Sequence, residues 1–169
     1  MGRLAAEKEV DLLLSAWRDV RRRTGAALVL VGDGPARRRL QHRAGSDRLH
    51  WLPFQQDRDA LADLLAAADL AVAPCSIETF GLSALEALAS GTPLLSADRG
   101  GVAETVGRSG AGAVFASGDP AALADEAVRL LTGDLRALGL AGRRYAEADH
   151  GWAAVLDRIF DVYRGIVGS

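Results

Sequence analysis

Apolar positions at Val10, Leu13, Leu14, Trp17 and Val20, separated by charged residues, have the spacing of one helix face and predict a helix over 7–24. The next segment changes period. Ala26 to Val31 is an unbroken apolar run closed by Gly32-Asp33-Gly34-Pro35, the mark of a short strand covered on both faces. The same alternation then recurs. Helices are expected over 36–45, 59–68, 82–90 and 102–106, each followed by a strand, over 49–54, 70–74, 93–97 and 113–116. Three helices over 120–132, 134–148 and 152–167 close the chain.

Strands alternating with helices predict an α/β domain, a doubly wound, mostly parallel Rossmann-like sheet flanked by helices. Ligands of such sheets sit beyond the carboxyl ends of the strands. The turns at 32–35, 53–56, 75–81 and 98–101 therefore surround one candidate crevice. At 169 residues the chain has room for a single domain, read as 1–169. Composition narrows the partners. With 20 basic and 22 acidic side chains the net charge is -2, which gives no reason to expect nucleic acid. One cysteine, Cys75, excludes an internal disulfide framework, and it reads as an inert buried thiol. His42, His50 and His150 are scattered and make a poor metal set, so no metal site is expected. The basic triplets 21–23 and 37–39 read as solvated helix faces. No apolar run approaches the roughly 20 residues of a membrane-spanning helix.

The densest chemical signal runs from Cys75 to Pro93. Gly91 suits a left-handed helix end and Pro93 prevents continuation. At the opposite end Gly81 lets backbone approach a ligand, and the free N–H groups after it, at the positive end of the helix dipole, suit a phosphate or a sugar hydroxyl. Glu78 precedes this end and Glu86 follows it, placed to accept hydrogen bonds from separate polyol parts of one extended ligand. Two plainer readings stand beside this one. Ser83 and Glu86 have capping-box spacing, and Glu78 is equally readable as a solvated loop residue. Arg3 and Lys8 flank the start of the first helix, where positive charge complements a diphosphate, and Lys8 is the only lysine in the chain, although two exposed surface cations explain the pair as well.

These residues resemble a family. Gly2-Arg3-Leu4 with Glu7-Lys8, then Val31-Gly32-Asp33-Gly34-Pro35, Ala67-Ala68-Asp69-Leu70 with Pro74, Glu78 through Gly81 to Glu86-Ala87, Gly91-Thr92-Pro93, and Gly100-Gly101 with Glu104 occur in one order. The series is similar to the C-terminal, donor-binding half of the retaining family 4 glycosyltransferases of GT-B fold. That resemblance implies the roles that follow. Arg3 and Lys8 hold the donor diphosphate, together with backbone at Gly81 and Leu82. Glu78 faces the transferred sugar as the catalytic-site carboxylate, with backbone at Phe80 and Gly81. Glu86 binds the ribose, and the loop at Phe54 and Gln55 borders the base. No cofactor is implied. The donor is a GDP- or UDP-linked sugar, and an N-terminal domain supplies the acceptor site. A cytoplasmic location is implied, with contact at the inner membrane face made through that N-terminal domain.

Two departures accompany the resemblance. Glu9 stands where the family often has glycine. The apolar strand that family members place directly before Gly2 has no counterpart in the sequence, so the strands near 28–31 and 70–74 are expected to lack a shared neighbour, as in a fragment. In the closing segment, 150–169, Trp152, Leu156, Ile159, Phe160, Tyr163 and Ile166 form an apolar stripe. Packing on an N-terminal domain and packing on this domain's own core both explain it, the latter favoured for 152–160.

Overall fold

A computed structural model describes residues 2–44 and 48–167. The chain opens with a single 3-10 turn, Ala6–Lys8, followed by α1 (Val10–Thr24) and β1 (Leu28–Val31). The βα alternation continues through α2 (Arg37–Ala44), β2 (Leu49–Leu52), α3 (Arg58–Ala66) and β3 (Ala71–Ala73). Then come α4 (Leu82–Ala89), β4 (Leu94–Ala97), α5 (Gly101–Ser109) and β5 (Gly112–Phe115). Three helices end the chain: α6 (Pro120–Leu131), α7 (Leu135–His150) and α8 (Trp152–Val167). Every expected strand and helix is present. The expected helix over 36–45 ends at residue 45, which lies outside the described residues, as do Met1, Gly168 and Ser169 at the limits of the domain.

Side-chain caps set several boundaries. Asp57 accepts from the amides of Asp59 and Ala60 to start α3. Asp119 does the same for Ala121 and Ala122 ahead of Pro120 at the start of α6. Asp134, expected inside its helix, instead sits before α7 and accepts from Ala137 N–H. The first helix is corrected more substantially. It does not run unbroken over 7–24, because Glu9 adopts φ 50°, ψ 31° and separates the opening turn from α1.

All strand pairs are parallel. β1 pairs with β2, while β3, β4 and β5 form a second ladder in that order. β1 and β3 share no hydrogen bonds, and no described strand pairs with both. Backbone at the chain start lies beside β1: Gly2 N–H donates to the Val31 carbonyl at 3.0 Å and Leu4 N–H to that of Asp33 at 2.8 Å.

The sheet layer is covered on both sides. Leu95, Ala97 and Phe115 pack with Leu13, Trp17 and Val20 of α1 and Leu123, Ala127 and Leu130 of α6. Leu94 points the other way, into a second core with Leu88 of α4, Val102 and Val106 of α5, and Ala146 of α7. The reversal between Leu94 and Leu95 follows from the two-residue period of a strand. α8 stands apart. Trp152 is 81% exposed and Phe160 52% exposed, so the expectation that residues 152–160 pack on this domain's core is not met.

Candidate functional site

The two cores fix where strand ends and helix starts meet. Between the carboxyl ends of β1 and β3 lies a cleft of about 80 Å³. Its floor includes Leu30 and Val31 from β1 and Val72 and Ala73 from β3; Arg3, Lys8, Glu78 and Ser83 line it too. Three of the charged residues expected to share a site therefore do so, although 75 positions separate Arg3 from Glu78.

Lys8 Nζ donates to Glu78 Oε2 at 2.5 Å, joining the turn before α1 to the loop before α4. This hydrogen bond holds the Lys8 ammonium above its ordinary value of 10.5, against the opposing effect of partial burial. The side chains keep 37% and 26% exposure, so the pair remains accessible from the cleft. No hydrogen bond or ion pair engages the exposed Arg3 guanidinium among the described residues. The thiol of Cys75, buried in the cleft wall, donates to the Glu7 carbonyl at 3.0 Å, which agrees with a structural rather than reactive thiol.

The loop from Ser76 to Gly81 is shaped by close backbone approach. A β-carbon on Gly101 would lie 2.0 Å from the Thr79 carbonyl oxygen, and Gly101 N–H donates to the Glu78 carbonyl at 2.8 Å. Gly81, at φ 74°, is the residue immediately before α4. A β-carbon there would meet Val102 at 2.4 Å. Ala84 and Leu85 N–H both turn back to the Gly81 carbonyl, at 2.9 and 3.1 Å. The amides of Leu82 and Ser83 head the helix with no intrahelical acceptor.

Because α4 begins at Leu82, Ser83 lies inside it and forms no capping box with Glu86, contrary to the plainer alternative. The Glu86 carboxylate is exposed and carries no hydrogen bond or ion pair among the described residues. Gly91, at φ 79°, ends the helix region as expected. Glu86, Phe54, Gln55, Phe80 and Leu82 lie outside the lining of the cleft, and Phe54, Phe80 and Leu82 are exposed.

Two sets of side-chain contacts had no sequence signal, although position 9 itself is one where the family often has glycine. Glu9 reaches Ser76 by its side chain, accepting from the hydroxyl at 2.9 Å and the amide at 3.3 Å. His150, which had no assignable partner in the sequence, sets its ring edge-to-face with Phe80, centroids 6.1 Å apart. Its Nε2 is 3.1 Å from the Tyr145 hydroxyl, and Arg108 covers the Tyr145 ring at 5.6 Å. Within the basic triplets, Arg22 and Arg23 pair with Asp19, Arg23 reaches Asp125 of α6 and Arg39 reaches Asp11 of α1, while Arg37 donates to the Gly32 carbonyl.

Parallel strands covered on both faces, with cations and a helix start gathered at one carboxyl edge, define an α/β domain with an anion-suited cleft. The chain belongs to the glycosyl transferases group 1 family, which matches residues 1–133. A GDP-mannose-dependent alpha-(1-6)-phosphatidylinositol dimannoside mannosyltransferase of Mycobacterium tuberculosis is 46% identical over 93 residues, 54% of this chain and 24% of its own length. A D-inositol 3-phosphate glycosyltransferase of Nocardia farcinica is 36% identical across 96% of this chain and 39% of its own. Among solved structures, Anabaena Alr3699/HepE in complex with UDP superimposes with a TM-score of 0.82 at 20% identity, over 97% of this chain and 48% of that one. The fold is thus that of a GT-B glycosyltransferase half. The chain spans less than half the length of each of these proteins.

Proposed function

We propose that this domain binds a nucleoside-diphosphate sugar, GDP- or UDP-linked, for retaining transfer of a hexosyl group to a hydroxyl acceptor. The observation that carries the reading is the meeting of Arg3, Lys8 and Glu78 at one cleft beside the start of α4. Arg3 presents a fork of donors and Lys8 a compact charge, the pairing suited to two linked phosphates. The unpaired Leu82 and Ser83 amides add partial positive charge on the same side. Together they stabilise negative charge on a departing diphosphate, with no protein-bound metal or cofactor required in this scheme.

Glu78 is the carboxylate assigned to the sugar. Its bond to Lys8 keeps it oriented, and its second oxygen is left to accept from sugar hydroxyls. The unengaged Glu86 carboxylate is assigned to the ribose and the Phe54–Gln55 loop to the base. Main-chain groups from Phe80 to Leu82 are assigned to sugar and phosphates. In the retaining scheme the acceptor oxygen attacks the anomeric carbon on the face from which the diphosphate leaves. The acceptor proton passes to the departing phosphate oxygen. The acceptor site belongs to an N-terminal domain, and the isolated 169-residue chain transfers no sugar. Association with a cytoplasmic membrane face, made through that domain, is part of the same proposal.

A second reading has an observation of its own. The exposed stripe of α8, from Trp152 to Ile166, suits a domain that holds donor as a non-catalytic subunit and works only with a separate acceptor-domain chain. Calorimetry with GDP and UDP tests the site under either reading. Lys8→Ala and Glu86→Ala are each expected to weaken binding about tenfold, the size of a charge-assisted hydrogen bond. Unchanged affinity in both variants contradicts the assignment.

A further inference from the structure

We infer that Glu9 is a positioning residue for the donor site, acting through Ser76 on the loop that carries Glu78; the inference rests on the donor-site reading above. Glu9 is one of only two non-glycine residues with positive φ among those described, so its backbone occupies a region that L side chains rarely adopt. The side chain does not cap α1, the helix that starts at the next residue. Both carboxylate oxygens go instead to a residue 67 positions away: Oε1 accepts from the Ser76 hydroxyl at 2.9 Å and Oε2 from the Ser76 amide at 3.3 Å.

The geometry of the neighbours gives this contact its consequence. Glu7, Lys8 and Glu9 each reach the facing loop: Glu7 by its carbonyl to Cys75, Lys8 to Glu78, and Glu9 to Ser76. Lys8 and Glu78 line the cleft and Glu9 does not. Glu9 therefore touches no ligand in the cleft but fixes the loop two residues before Glu78 and the turn one residue after Lys8. From behind, the same loop rests on the glycine pair at the start of α5. A β-carbon on Gly100 would fall 2.7 Å from the Glu78 carbonyl oxygen and 3.2 Å from that of Ser76. The loop is thus held from both sides, and Glu9 supplies the hold on the α1 side.

Glycine at position 9 separates the two contributions. Glu9→Gly accepts the left-handed backbone more readily and removes the carboxylate, while Glu9→Gln keeps a side-chain acceptor for the Ser76 hydroxyl. The experiment uses the whole chain and three readouts: thermal unfolding, amide hydrogen exchange, and calorimetry with UDP and GDP. For Glu9→Gly the expected result is a melting temperature equal to or above that of the parent. Exchange at residues 76–81 should quicken, and nucleotide affinity should fall, each about three- to tenfold, as for one or two hydrogen bonds. Glu9→Gln should restore most of both. Parent-like exchange in the 76–81 loop of Glu9→Gly overturns the inference, and so does faster exchange spread over the whole chain with a lowered melting temperature. If the parent chain binds neither nucleotide, the donor-site reading fails by itself, and the exchange arm still decides the role of Glu9.

Discussion

Lys8 and Glu78 are half-exposed partners whose charges stay within reach of a ligand entering the cleft. A bare carboxylate at position 78 would repel a diphosphate, whereas the pair presents a neutralised surface with ammonium protons to spare. Its pH behaviour has a definite sign. Because the Lys8 value is raised by the bond to Glu78, its stabilising contribution is complete below 10.5 and is lost as pH climbs through the folded-state value above that. In urea unfolding, the stability difference between the parent and Lys8→Met should stay level from neutral pH to 10.5 and shrink above it. A difference that shrinks well below 10.5 would mean that the pair does not exist as described. Arg3, Lys8 and Glu78 were recognisable in the sequence because residue type and order carry them. Glu9 and His150 were not. Glycine's usual place at position 9 hinted at a left-handed backbone, but the bonds from Glu9 to Ser76 have no sequence signature, and the ring contact between His150 and Phe80 exists only once α7 has folded against the loop.

At the scale of elements, the loop before α4 is defined by what lies behind it. The start of α5 comes so close that a side chain at position 101 has no room, since its β-carbon would sit 2.0 Å from backbone at Thr79. Gly101→Ala should therefore displace the 76–81 loop. The expected cost is about 1–3 kcal/mol of stability, as in other overpacked sites. Chemical denaturation measures the cost, and nucleotide titration should show a parallel loss of affinity. An alanine variant with full stability and full affinity would show that the glycine pair is not what shapes the loop. Element order was legible from hydrophobic period alone, since runs such as 26–31 and the heptad-like spacing of α1 differ plainly. Boundaries were less so. The break at Glu9 and the cap at Asp134 depend on backbone angles and single side-chain bonds, which periodicity does not register.

For the whole molecule, two surfaces are incompletely matched within the described chain: the facing edges of β1 and β3, and the stripe of α8. Their physical character differs. The strand edges line a narrow cleft, whereas the α8 stripe faces outward with Trp152, Phe160 and Tyr163 all more than half exposed. Replacing Trp152 and Phe160 together by serine should change unfolding free energy by no more than about 0.5 kcal/mol, the usual range for exposed positions away from a core. The same variant should self-associate less in analytical ultracentrifugation. A large loss of stability would place this stripe in the domain's own core after all. The separation of β1 from β3 into two ladders was foreseeable only from the family resemblance, since hydrophobic period does not register which strands pair. The exposure of α8 was not, because an amphipathic stripe looks the same whichever body it is destined to cover.

The central claim concerns a nucleoside-diphosphate sugar at the cleft beside α4, and a residue-resolved titration addresses it directly. In amide nuclear magnetic resonance spectra of the 169-residue chain, addition of UDP-glucose or GDP-mannose should give saturable shifts. These shifts should cluster at Arg3, Lys8, residues 76–83 and Glu86. Absence of saturable shifts with both donors, or shifts confined to residues remote from that cleft, would contradict the account.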